Sequence, residues 1–363
     1  MRLKYISLLL IFVLFGFQTI AVQQIKRNKR IVRTYKIKPE TRVEVYNKYG
    51  QVEIIHWQKD SVKYIIKLET RAKSKEKIDK LEALLNFSFQ SGENYIRAKT
   101  LIGNEAKDLM SEITNLTNAI FTIGAEVDID FTVYLPATNK LKIQNSFGDV
   151  FMGNIDPDIQ IELSHGDLRA GKLNSHSIID IKFGHAFIEF LKEGEVKLNY
   201  ADLALSAADE LDIKSKASSI DISNVDALSI DSRRDEYKIG QLNSLNGSSN
   251  FSKINIMKFD NELKLSLKYG SFSIIKISRL FSSVNISSGY TDITLIFERG
   301  SAYDFLLTST DVSFSYPKEK LSLTKKEIDR DKRKYNYKGT VGQNTKSNVI
   351  ILSEKGSVKV FQE

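Results

Sequence analysis

A run of charged residues, Asp231-Ser232-Arg233-Arg234-Asp235-Glu236, is the part of this chain best supplied with side chains capable of chemistry. Carboxylates clustered with Arg or Lys in a groove are what a β-helix enzyme uses to cleave acidic polysaccharide. Here the charges lie on one short corner and hardly define a cleft. No nucleophile–His–acid constellation and no phosphate loop accompanies them, so no catalytic residue is assigned and a non-enzyme is expected. Arg233, Arg234, Asp235 and Glu236 are kept as a candidate binding patch, and Lys332, Arg333 and Lys334, from a second charged stretch, as another. Asp149, Asp167, His185 and Asp202 recur at one position of a repeat and could hold a cation between neighbouring carboxylates. The tandem Gly-Gly-x-Gly-x-Asp pattern of calcium-binding β-rolls is absent, so a solvated turn column is expected. Two such charges about 4.8 Å apart repel by only about 0.9 kcal/mol in water. With Cys 0 there is no disulfide, no thiolate metal site and no cysteine for a lipid anchor. Neither a metal site nor a cofactor is expected.

The elements that must position these residues repeat. Phe147-Gly148-Asp149-Val150 returns as His165-Gly166-Asp167-Leu168 and Phe183-Gly184-His185-Ala186. Looser copies follow at Tyr200, Ala217, Arg234, Phe251, Tyr269 and Tyr290, in steps of roughly 17–18 residues, which is a solenoid period. One early copy, Tyr49-Gly50-Gln51-Val52, and one late copy, Lys355-Gly356-Ser357-Val358, stand apart from the run. Each unit alternates apolar and polar residues, then shifts phase at the glycine. That predicts two short strands around a corner, with glycine supplying the backbone freedom, and a return path. A single unit cannot offset the entropy of ordering it, so units must stack and the stack must be capped. The expectation is an all-β, right-handed parallel β-solenoid (a β-helix) of about a dozen rungs, with Phe147, His165, Phe183 and Tyr200 as stacked rings. Around Ser215, Ser232 and Ser249, with Ala217 and Arg234 in place of the ring, a narrower rung with a solvated corner is expected.

Residues 1–21 read as a signal peptide: a basic start with Arg2 and Lys4, an apolar stretch from Ile6 to Phe17, and small residues at Thr19-Ile20-Ala21. No later segment is apolar enough to span a membrane as a helix. The formal net charge is +8, and the excess sits in two places. One is Lys26–Lys38; the other is 317–346, read as a basic loop excursion. The remainder is slightly acidic and lacks the broad basic face of a nucleic-acid binder.

Residues 35–137 read as a first rung plus an inserted α+β cap at the N-terminal end. The insert comprises a strand at Ser61–Glu69, amphipathic helices at Lys73–Asn86 and Glu105–Ile120, a hairpin around Phe87, Phe89 and Tyr95, and a strand at Val127–Leu135. Residues 138–316 carry the repeats and 347–363 the terminal strands.

The run Val43-Glu44-Val45-Tyr46-Asn47-Lys48-Tyr49-Gly50-Gln51-Val52, followed by Trp57 and Asp60, resembles the opening of the bacterial putative-adhesin domains of unknown function. Thr132-Val133-Tyr134-Leu135-Pro136 ahead of Asn145-Ser146-Phe147-Gly148-Asp149-Val150 resembles the same family, where a Leu-Pro strand precedes the first Gly-Asp-Val rung. The resemblance implies an exported, repeat-built protein of the cell envelope (periplasmic, outer-membrane-associated or on the surface) with an adhesin-like binding or scaffold role. It carries no catalytic residues over. The expected partner is an envelope protein or glycan, with an anionic surface met through 317–346, and no nucleic acid.

Overall fold

A computed structural model describes residues 24–103, 124–319, 321–343 and 345–363. The expected signal peptide, the expected helix at Glu105–Ile120 and Lys320 lie outside them. The described residues form two compact units. The smaller holds Leu68–Asn86 with the described parts of 1–29 and 101–128. Its helix, α1, runs Lys75–Ala83, with Ser74 as N-cap accepting the Lys77 amide and Ile78 and Leu81 buried. Arg27 pairs with Asp79 and Glu82, and Arg71 with Glu69, Glu126 and Asp128.

The larger unit, Arg30–Lys67, Phe87–Thr100 and Ile129–Glu363, is the solenoid. Its strands pair in parallel at a fixed register; Ile161 sits on Ile179, Ile179 on Val196, Val196 on Ile213 and Ile213 on Ile230. One turn shows how the sequence makes a core. Leu203, Leu205, Ala208, Leu211, Ile213 and Ser215 are buried, while Asp202, Ala204, Asp209 and Lys214 are exposed. The alternation breaks where the ladder skips Ser206 and Asp209, and each skip restores the apolar phase to the inside. The return path is therefore itself strand, and Asp202–Lys216 runs unbroken from one corner to the next.

The two outlying copies belong to the stack. Val43–Lys48 pairs with Leu141–Ser146, and Val52–Ile54 with Val150–Met152, so the Tyr49 turn lies directly against the Phe147 turn. Arg42–Tyr46 is paired on its other side by Tyr95–Lys99, and Val52–His56 by Phe131–Leu135, which covers that end of the ladder. At the other end the order of the chain is broken. Ser347–Gln362 pairs with Ser283–Phe297 on one side and with Tyr303–Thr310 and Ser313–Ser315 on the other. The Lys355 turn thus sits between the Tyr290 and Asp311 turns.

The basic stretch 317–346, expected as a loop, forms two strands. Lys334–Val341 pairs antiparallel with Tyr303–Thr310, and Leu323–Asp329 pairs antiparallel with Lys334–Val341. Tyr337 packs edge-on against Phe314, 4.9 Å between centroids, which anchors the hairpin to the last turn. Arg333 takes a left-handed φ of 49° at the hairpin turn and pairs with Asp311. The charge pattern follows from this placement. Leu323–Asp329 is an open edge, and Lys325, Lys326, Glu327 and Asp329 discourage another strand from adding to it.

Candidate functional site

At the corner of each turn side chains leave the strands and converge along the stack. The residue that turns the chain is not glycine. Tyr49, Phe147, His165, Phe183, Tyr200, Ala217, Arg234, Phe251, Tyr269, Tyr290, Lys355 and Asp311 all have φ between 51° and 60°. A left-handed L-residue costs about 1–2 kcal/mol, and ring stacking returns about 0.5–1.5 kcal/mol per pair, so the two nearly cancel. The glycine that follows is required for a different reason. A Cβ at Gly166 would lie 2.1 Å from the Gly148 carbonyl oxygen, and one at Gly184 2.0 Å from that of Gly166. Close approach of neighbouring turns, and not backbone freedom, selects glycine there.

The rings form two ladders. Tyr49, Phe147, His165, Phe183 and Tyr200 stack in turn at centroid distances of 5.0, 4.9, 4.9 and 5.4 Å, with planes within 8° of parallel. Phe251, Tyr269 and Tyr290 stack at 4.7 and 5.0 Å. Phe183, Tyr200 and Phe251 are about half exposed, so the ladders are surface features. Lys355 continues the second ladder as a cation, its Nζ 4.7 Å from the Tyr290 centroid and donating to the Tyr290 hydroxyl at 2.8 Å. The residue before each corner aligns as a second column, with Lys182, Lys216, Arg233 and Lys268 among its members.

The aspartate column lies on the other side of the rings and ties turns together. Asp149 Oδ1 accepts the Asp167 amide at 2.8 Å, Asp167 Oδ1 the His185 amide at 3.2 Å, and Asp202 Oδ1 the Ser219 amide at 3.3 Å. Asp167 Oδ1 is also 2.8 Å from His185 Nδ1, while Asp202 is 3.6 Å from Nε2. The hydrogen bond to Asp167, with the charges of Asp167 and Asp202, holds this imidazole above its ordinary pKa. Among the described residues, no group of three or more His, Asp or Glu is placed to hold a metal ion.

Between the ladders the corner changes character. Ala217 and Arg234 replace the ring, while Ser218, Asp235 and Ser252 replace the glycine and turn their side chains inward. Each then accepts the amide of the turn before it: Ala201 donates to Ser218 Oγ, Ser218 to Asp235 Oδ1 and Asp235 to Ser252 Oγ, at 3.3, 2.9 and 3.0 Å. Asp235 Oδ2 accepts from Ser215 Oγ, Ser232 Oγ and the Arg233 amide, at 2.7, 2.7 and 2.8 Å. Ser215 Oγ also lies 2.7 Å from the buried Tyr237 hydroxyl, and burial pushes that phenol's pKa up. The corner expected to be solvated is therefore a dry polar network. Small serines leave room for Tyr237 and Asp235, and every buried oxygen of the carboxylate is satisfied.

The candidate patch divides accordingly. Arg233 and Arg234 are exposed, Asp235 is inside, and Glu236 is paired with Lys253 at 3.6 Å. Asp202, Ala217, Arg234, Glu236, Phe251 and Lys253 border a shallow depression of about 620 Å³ where the rings are missing. The sequence signal for this depression was the alanine in the ring position. Lys332, Arg333 and Lys334 lie at the hairpin turn, one strand beyond the Asp311 turn, six strands and on the order of 30 Å from Arg234. The two groups do not converge. Sequence reasoning missed Glu44, a fully buried carboxylate held by Arg42 at 2.6 Å and Arg97 at 2.7 Å. It also missed a groove of about 580 Å³ bordered by Phe151, Arg169, Phe187, Glu189 and Asp221, in which Arg169 stacks 5.3 Å over Phe187.

No protein-family model matches the chain, and no curated protein matches it. Three solved bacterial structures align along most of it. A "putative cell adhesion protein" from Clostridium sporogenes ATCC 15579 has a TM-score of 0.19 and 9% identity, over 93% of this chain and 100% of that one. A "putative adhesin" from Bacteroides fragilis NCTC 9343 has a TM-score of 0.19 and 11% identity, over 92% and 97%. A "putative adhesin" from Parabacteroides distasonis ATCC 8503 has a TM-score of 0.27 and 9% identity, over 92% and 97%. The strand register, and not these alignments, carries the assignment of a parallel β-solenoid.

Proposed function

We propose that the chain is a non-catalytic, exported cell-envelope protein with an adhesin-like binding or scaffold role, presenting its solenoid corner to a surface molecule. The observation that carries this reading is the pair of outward ring ladders. The rings are about half exposed with their edges outward, their spacing is fixed by backbone pairing on both sides, and cations run beside them. Preorganised ring edges and faces bind sugar rings and partner side chains without an ordering cost. The basic, apolar and small-residue order of 1–21 supports export. Among the described residues no helix is long and apolar enough to cross a membrane.

Three measurements test the proposal. Cell fractionation with protease treatment of intact cells should find the mature chain outside the cytoplasm. Purified protein should be captured by immobilised envelope polysaccharide or envelope protein, and Phe183→Ala with Tyr269→Ala should weaken capture while the melting temperature holds within a few degrees. Incubation with acidic glycans, following absorbance from new unsaturated ends, should give no signal. Activity lost on Arg234→Ala would overturn the non-catalytic reading in favour of a polysaccharide-cleaving β-helix enzyme.

A further inference from the structure

We propose that the gap at Ala217 is a binding slot for one acidic sugar ring of an anionic polysaccharide, stacked between Tyr200 and Arg234. The inference rests on the binding role above and assigns it a place and a ligand chemistry. Rings in the two ladders sit 4.7–5.4 Å apart. Tyr200 and Arg234 occupy the same corner position two turns apart, so the space between them is about 10 Å, twice the rung spacing. That is room for one ring at the ladder's own stacking distance on each side. Ala217, with φ 51°, takes the backbone conformation of its ring-bearing neighbours and leaves only a methyl there.

The walls of the slot specify charge as well as shape. Arg234 leaves the chain from the same left-handed corner, φ 60°, as the rings on either side. Lys355 shows what a cation does in this column, lying over the ring next to it. Lys216 Nζ already leans over Tyr200, 5.8 Å from its centroid, and Lys216 is paired in register with Arg233. Among the described residues no ion pair reaches Lys216, Arg233 or Arg234; of the nearby acids, Glu236 is paired with Lys253, Asp202 lies 3.6 Å from His185, and Asp235 is turned inward onto hydroxyls and backbone amides. Three cations without an ion-pair partner, beside an aromatic face and a ring-sized gap, match a pyranose bearing a carboxylate. The ring stacks on Tyr200, and the carboxylate meets Arg234 or Lys216.

The test is to fill the slot. Ala217→Phe completes the ladder with a residue that Phe183 and Phe251 show the corner accepts, so the melting temperature should hold or rise. Calorimetry with a short oligogalacturonate, and with a neutral oligosaccharide of the same length, reads binding. The expected result is oligogalacturonate binding that is weakened by 0.5 M salt, falls at least about tenfold in Ala217→Phe and in Arg234→Ala, and survives Lys192→Ala, which removes an exposed cation away from the corner. Equal binding by Ala217→Phe and the natural chain would overturn the slot while leaving the binding role standing. Equal binding of the neutral sugar would overturn the assignment of charge. Failure to bind oligogalacturonate, with capture by envelope polysaccharide intact, would overturn the ligand class alone; loss of capture as well would overturn the binding role itself.

Discussion

Asp235 Oδ1 accepts the amide hydrogen of Ser218 at 2.9 Å, so a buried carboxylate in one turn does the work that close backbone packing does where glycine occupies this column. Asp235→Ala would leave the Ser218 and Arg233 amides without their acceptor and the Ser215 and Ser232 hydroxyls with only Tyr237 and Ser252 as partners. At about 1–3 kcal/mol for each buried group left unsatisfied, a loss of at least about 3 kcal/mol is expected. Urea denaturation of the purified protein measures it. A loss below 1 kcal/mol would show that the network is not dry.

Gly166→Ala should be costly for a reason unrelated to turn conformation. Its Cβ would collide with backbone on the preceding turn, an atom that cannot swing aside. A cost of about 2 kcal/mol or more is expected. Ala201→Ser places a hydroxyl where Ser218 and Ser252 already carry one and should stay within about 1 kcal/mol. Thermal melts of the two variants should separate clearly, and equal melts would contradict the close-approach account.

Two groups set opposite limbs of the pH profile. Burial alone would raise the Glu44 carboxyl, but hydrogen bonds from Arg97 and Arg42 and their charges hold it below its ordinary value. Its contribution is therefore present above the unfolded pKa of about 4.3 and is lost as pH falls through the folded value. Glu44→Gln should flatten the acid limb of a stability–pH curve. His185 is raised, so its contribution is complete below about pH 6.5 and is lost as pH rises through its folded value. The ring is more than half exposed, and solvent keeps that effect small. Proton NMR of the His185 ring should report the raised titration, and Asp167→Asn should lower it.

The hairpin predicts where an anionic surface would be met. Arg333 is committed to Asp311, Lys332 to Asp329 at 3.9 Å, and Lys325 lies 3.9 Å over Tyr335. Lys326 and Lys338 are exposed. Replacing both with Ser should weaken salt-sensitive binding to phosphatidylglycerol vesicles in a sedimentation assay, by up to about 1 kcal/mol for each charge, with folding unchanged. Unchanged binding would move the contact to Lys26–Lys38.

The repeat was legible because burial in a parallel stack imposes the same alternation on every turn. Leu198, Leu265 and Phe272 could be placed inside from spacing alone, and Phe147, His165 and Phe183 stacked as their alignment required. What escaped has one physical cause: local pattern says nothing about partners 17 or more residues away. Asp235 reads as a surface charge until Ser215, Ser218 and Ser232 are brought around it. Lys355 reads as an outlier until its strand is seen beside Tyr290. The lysines of 317–346 read as a loop because the strand they protect, Leu323–Asp329, is an edge whose identity depends on the whole stack. The gap at Ala217 was visible as a departure from the repeat, but its depth depends on Tyr200 and Arg234 holding their places on either side.

The insertion of Ser347–Gln362 between the Tyr290 and Asp311 turns fixes an order of events. These residues follow Tyr303–Val341 in the chain, so the strand that seats the Asp311 turn and its hairpin is made after them. Until that strand arrives, the growing stack ends on the bare edge of the Tyr290 turn and a detached β-sheet flap waits beside it. The last strand of the chain is thus a wedge between two earlier ones and not an addition at an end. A chain stopped before residue 347 would display two further open edges besides the charged one of the finished molecule, and it would be prone to pair with its own copies.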